Sequence, residues 1–123
     1  MSQASREVVA VVTAADGSAT AYSGVVTGKV SSIRYVKTDF ADGSTFTITA
    51  EATGESIWSE TGVNASATRA PRQATHSTSG VASLYAAAGQ AVNDKIALAN
   101  DRVKIVIAAG GNVKSGTFHI VIE

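Results

Sequence analysis

The apolar stretches of this chain are short and are built mostly from valine, isoleucine and threonine, with glycines and Asp-Gly pairs between them. A side chain branched at Cβ suits a pleated strand better than a helix, so the pattern points to sheet. Arg6 to Ala14 (REVVAVVTA) is an apolar run followed by the Asp16-Gly17 turn signal, and Thr20 to Thr27 (TAYSGVVT) reads as the returning arm of a hairpin. The four valines of the first arm predict burial on both of its faces. Lys29 to Phe40 follows, then a second Asp-Gly turn within Ala41 to Ser44. From Thr45 to Ala50 the alternation is strict: Phe46, Ile48 and Ala50 point one way and the three threonines the other, which predicts a half-buried strand.

Beyond Glu51 the signal weakens. Gly54 and Gly62 punctuate a short Ser56 to Ser59 segment, and the only proline, Pro71, stands between Arg69-Ala70 and Arg72. A proline cannot donate to a ladder, so this stretch is expected at an edge or in a surface loop. Val81 to Val92 contains helix formers but is flanked and interrupted by Gly80 and Gly89, which favours a strand or irregular segment with at most a short helical turn. Lys95 to Ala99 is a short apolar segment, and Asn100-Asp101 signals a turn. In the last stretch Val103, Ile105 and Ile107 share one face, as do Phe118, Ile120 and Ile122, and the glycine-bearing link from Ala108 to Gly116 predicts a terminal hairpin. Together these segments predict an all-β chain, an antiparallel β-sandwich or jelly-roll-like small barrel, with residues 1–123 forming a single domain.

With 123 residues the chain is long enough for one hydrophobic core and too short for two. Ten basic and ten acidic residues cancel, so no global field draws the protein onto nucleic acid or an anionic membrane; nucleic-acid binding would need a local patch. There is no cysteine, which removes disulfides and Cys-ligated zinc. No run approaches the roughly 18 apolar residues of a membrane span, and the N-terminus has no basic stretch leading into an apolar one, so the expectation is a protein that stays in the cytosol unless it is assembled into something.

Enzyme motifs would be decisive, and the sequence contains no GxSxG, HExxH, GxxxxGK[ST] or strand-linked GxGxxG pattern. His76 and His119 are far apart and neither has a carboxylate at ligand spacing, so no metal or cofactor site is expected. His119 alternates with Phe118 and Ile120 and is expected to face solvent or an interface. Glu51, Glu55 and Glu60 read as a solvated edge, since paired catalytic acids need contrasting surroundings. Two features stand out: Trp58, the single tryptophan, and the pair Arg69 and Arg72 around the proline. A lone tryptophan is most often a core anchor, but Trp and Arg are also enriched at binding hot spots, which makes Trp58, Arg69 and Arg72 the candidate partner-binding residues.

The series Ile57-Trp58, Val63-Asn64-Ala65, Ala67-Thr68 and Pro71-Arg72, followed by Ala97 to Ile107, Gly110-Gly111 and Ser115 to Phe118, resembles small virion proteins of tailed bacteriophages. The resemblance covers the C-terminal half. It implies a non-enzymatic decoration or cement protein, made in the bacterial host cytoplasm and placed on the capsid exterior, with the major capsid protein and further copies of itself, as dimer or trimer, for partners, and with no direct contact to nucleic acid or membrane. Under that reading the polar segment Met1 to Arg6 is a candidate flexible N-terminal arm. The alternatives are a head-completion or tail-terminator ring protein of the virion neck, and a carbohydrate-binding β module with Trp58 and Tyr85 as stacking platforms.

Overall fold

Alternation of branched and polar residues turns one side of each strand inward, and two antiparallel sheets close over that side. The computed structural model describes residues 4–123. Among them ten strands form and no helix: β1 (Ser5–Val12), β2 (Ala19–Tyr22), β3 (Val26–Lys37), β4 (Ser44–Ala50), β5 (Ser56–Val63), β6 (Ala67–Arg69), β7 (Arg72–Ala74), β8 (Asn93–Asp101), β9 (Val103–Ala108) and β10 (Ser115–Ile122). The larger sheet runs β1-β10-β3-β8-β7, with β6 also paired to β3, and the smaller runs β2-β9-β4-β5. Setting β6 and β7 aside, successive strands pass from one sheet to the other at every connection except β4–β5, which is the winding of a jelly roll.

The core lies between the sheets. Phe46 of the smaller sheet meets Phe118 and Tyr35 of the larger one edge-on, at ring-centroid distances of 5.1 and 4.7 Å. Such T-shaped pairs add to the burial term because the positive edge of one ring meets the negative face of the other. Ile33, Ile48, Ile105, Ile107, Ile120 and Val103 fill the space around the rings.

Several sequence expectations are corrected by the sheet assignment. β1 and β2 do not pair: β1 lies along β10 and β2 along β9. Nor do β9 and β10 form a terminal hairpin; each is an interior strand of a different sheet. A period-2 pattern specifies that one face is buried but not which sheet the strand joins, and two strands facing each other across a sandwich carry the same pattern as two strands side by side. Burial of β1 is one-sided, since Val9 and Val11 face the core while Val8 and Val12 face out. Asn100-Asp101 is not a turn but the end of β8, and the chain changes sheets at the single residue Arg102. There the Asp101 carboxylate accepts from the Arg102 N–H (2.7 Å) and the Ala52 N–H (3.0 Å), tying the crossing to the β4–β5 turn. Of the candidate arm Met1 to Arg6, Met1–Gln3 fall outside the described residues, while Ser5 and Arg6 open β1 opposite Ile122 and Val121.

The links that the sequence predicts as hairpin turns are arches between sheets, and they knit together at one end of the sandwich. Buried Thr13 donates from Oγ1 to the Gly111 carbonyl (2.6 Å) and accepts at Oγ1 from the Lys114 N–H (2.8 Å), joining the first arch to the last. The Gly110 N–H donates to the Gly17 carbonyl (2.9 Å), and the Ala41 N–H to the Gly110 carbonyl (2.9 Å). Of the glycines in the last arch, Gly111 holds a positive φ of 92°. Gly116 instead provides room: a Cβ there would lie 2.8 Å from the Phe40 ring and 2.9 Å from that of Tyr35.

Candidate functional site

The segment with the least regular sequence forms a full strand, β5, at the edge of the smaller sheet. Its register against β4 slips twice, between Ser44/Phe46 and between Ile48/Thr49 of β4. Each slip is a bulge that breaks the alternation, and the second leaves both Ile57 and Trp58 buried. Trp58 is only 6% exposed and stands edge-on to Phe46 (5.4 Å between centroids) and Phe118 (6.3 Å). The structure therefore gives the single tryptophan a core position.

Its indole nitrogen reaches the surface. Trp58 Nε1 donates to Glu60 Oε1 (3.0 Å), and Arg69 grips the same carboxylate with two parallel bonds, Nε to Oε1 (2.8 Å) and Nη2 to Oε2 (2.9 Å). The Arg69 guanidinium also lies over the indole, 5.7 Å from its centroid. Because Glu60 belongs to the smaller sheet and Arg69, on β6, to the larger, this pair clasps the seam between them. The Arg69 and then the Trp58 hydrogen bonds hold the Glu60 carboxyl below its ordinary 4.5, and the bond to Glu60 raises Arg69 in turn. A carboxyl lowered by folding contributes stability above its unfolded value and loses it as pH falls through the folded value. Trp58 fluorescence should accordingly hold steady down to about pH 4.5 and change only below it. In Glu60→Gln that transition should vanish; a midpoint at or above 4.5 in the parent protein would mean that the clasp does not hold.

Arg72 has a different local task. β8 pairs with β3 up to Val30, and β6 takes over at Ile33, so on that side of β3 the ladder skips Ser31 and Ser32. The step from β6 to β7 falls at Ala70-Pro71, where a missing N–H costs nothing to the ladder. Across the gap Arg72 Nη1 donates to the Ser31 carbonyl (3.1 Å), and also to that of Pro71 (2.7 Å). Pro71 itself is buried, although the arginines around it are exposed. Trp58, Arg69 and Arg72 thus come together, with Ile57, Ser59 and Pro71, on one shallow groove of about 290 Å³ along the seam. Both guanidinium groups are at least partly engaged in holding its walls, so the groove's recognition capacity lies in its shape and in the unpaired outer edge of β5.

The sequence predicts a solvated edge for Glu60, whereas the structure makes it the half-buried centre of the clasp. Its spacing of two from Trp58 on one strand is the signal that could have found it. A second unrecognised feature is the excursion from Thr75 to Val92 between β7 and β8. Its base closes like a hairpin, with the Thr75 N–H on the Val92 carbonyl (2.8 Å), and it folds back on itself through bonds such as Val92 N–H to Ser83 carbonyl (3.0 Å) and Ser77 N–H to Val81 carbonyl (2.8 Å). No residue from Arg72 to Lys95 is buried. The excursion nonetheless carries Leu84, Val81 at 64% exposure and Tyr85 at 77%.

The remaining polar candidates stay apart. His76 lies on the excursion, bridged to Ala82, and His119 on the outer face of β10. Among the described residues no three His, Cys, Asp or Glu side chains converge as a metal-holding group. Of the two candidate stacking residues, Trp58 is 6% exposed in the core and Tyr85 is 77% exposed on the excursion. No family model, curated protein or solved structure matches this chain.

Proposed function

We propose that this chain is a non-enzymatic structural protein of a tailed-phage virion, a decoration or cement protein seated on the capsid exterior between major capsid subunits. The observation that carries the assembly role is the Thr75 to Val92 excursion: a hydrogen-bonded ribbon without a core of its own, displaying Val81, Leu84 and Tyr85 to solvent. Large apolar side chains held out to solvent on a segment without a core of its own suit a docking element. The virion setting rests on the sequence resemblance of the C-terminal half. A small domain touching several capsid chains, alone or as a dimer or trimer, stabilises a shell by repetition, because dissociation requires many contacts to be lost at once.

Copy number tests the reading. Quantitative mass spectrometry of purified particles should find on the order of hundreds of copies, near-stoichiometric with the major capsid protein. Roughly six or twelve copies would instead favour a ring at the neck. Absence from the particles would overturn the virion reading altogether.

A further inference from the structure

We infer that the outer face of the larger sheet is a second docking surface, and that it takes an acidic polypeptide surface. The inference does not rest on the virion reading. Alternation places Arg6, Val8 and Val12 of β1, His119 and Val121 of β10, and Arg34 and Val36 of β3 on the side away from the core. The register sets Arg6 opposite Val121, Val8 opposite His119, and His119 opposite Arg34. The two arginines therefore flank β10 from its two neighbouring strands, and with His119, Val36 and Val121 they line one shallow depression of about 270 Å³. Beside it on β1, Val8 is 56% and Val12 62% exposed.

What selects the partner is charge. Lys29, Lys37, Arg69, Lys95 and Arg102 each pair with a carboxylate, whereas among the described residues Arg6, Arg34, Arg72, Lys104 and Lys114 pair with none, and of these Arg6 and Arg34 share one depression. Arg34 makes only a 3.1 Å bond from Nη1 to Thr68 Oγ1. No outward residue of these three strands is acidic. Glu7 points the other way, accepting from the Gly24 N–H (2.8 Å), and Asp39, beyond the far end of the face, is taken up by the Ser115 N–H (2.6 Å). The depression itself is thus lined by no acidic group, and Glu123, two residues beyond Val121 where the chain continues past β10 along β3, is taken up by Lys95. Guanidinium forks match carboxylates bidentately, and the valines between them suit apolar side chains interleaved with those acids. Nucleic acid fits less well, because backbone binders gather roughly six to ten phosphate contacts and this face offers two arginines and a histidine.

The test uses the full chain, isotope-labelled, and a short synthetic peptide alternating Glu and Val. Its amide shifts should concentrate on Thr117 to Val121 and Arg34 to Val36, and binding should weaken as salt rises from about 0.05 to 0.2 M because the pairs are exposed. Arg6→Glu with Arg34→Glu should weaken binding roughly tenfold while thermal stability holds, since rim charges govern association more than folding. If that double variant does not fold, Arg6→Gln with Arg34→Gln serves, with loss of binding still expected. Shifts elsewhere on the molecule, or none, would overturn the inference. So would equal binding of the corresponding Lys/Val peptide, tighter binding of a DNA duplex, or self-association in sedimentation that the double variant abolishes, which would make a second copy the occupant.

Discussion

Trp58→Ala is expected to destabilise the isolated domain by about 3–5 kcal/mol, the range for emptying a large aromatic site in a core. Three losses coincide: the edge-on contacts with Phe46 and Phe118, the bond that the indole N–H donates to Glu60, and the ring face beneath Arg69. Against the roughly 5–15 kcal/mol available to a domain, this is a large share, equivalent to roughly 10–20 °C in thermal midpoint for a chain of this size. Trp58→Phe separates the parts. It keeps most of the ring and forfeits the N–H, while Glu60 retains both bonds from Arg69, so its loss should stay within about 1–2 kcal/mol. Calorimetric melting of the two variants decides the matter. Trp58→Ala within about 1 kcal/mol of the parent would mean that the indole serves the groove rather than the core.

The strands were legible where their alternation is unbroken. β4 follows the pattern of Phe46, Ile48 and Ala50 residue by residue, and β10 follows that of Phe118, Ile120 and Ile122. Which sheet each strand enters was not legible, because β9 and β10 bury their apolar faces in one core from opposite sheets and would show the same residues if paired side by side. A short Asp-Gly turn does not discriminate either: Gly17 and Gly43 both take positive φ of 83°, yet both lie in arches rather than hairpins.

The candidate site divides along the same line. Trp58, Arg69 and Arg72 were identifiable by residue type, and they do share a groove. Their tasks were not identifiable, since bulges in β5 decide that Trp58 turns inward, and a gap in the β3 ladder decides that Arg72 bonds to Ser31. The outer face was hidden for another reason. Arg6, Arg34 and His119 are 28 and 85 positions apart along the chain, and only the β1-β10-β3 order brings them together.

If the proposed decoration role holds, excising the Thr75 to Val92 excursion should abolish docking onto the particle and leave the fold intact. The geometry permits a clean excision. Ala74 and Asn93 are a registered pair, and Thr75 bonds to Val92 just beyond them, so an Asn-Gly turn in place of residues 76–91 continues the ladder into a two-residue hairpin. No buried side chain is removed, and the shorter loop costs less entropy to close, so the thermal midpoint should stay level or rise slightly. Under the proposed reading, incorporation into particles should fall below detection, because the displayed Val81, Leu84 and Tyr85 are lost together and a weakened contact repeated over a lattice is lost many times over. Undiminished incorporation would remove the excursion from the docking role and shift that role to the seam groove or the outer face. A collapse in stability would show that the ribbon supports the sandwich, and Tyr85→Ser with Val81→Ser in the full-length excursion would then measure docking alone.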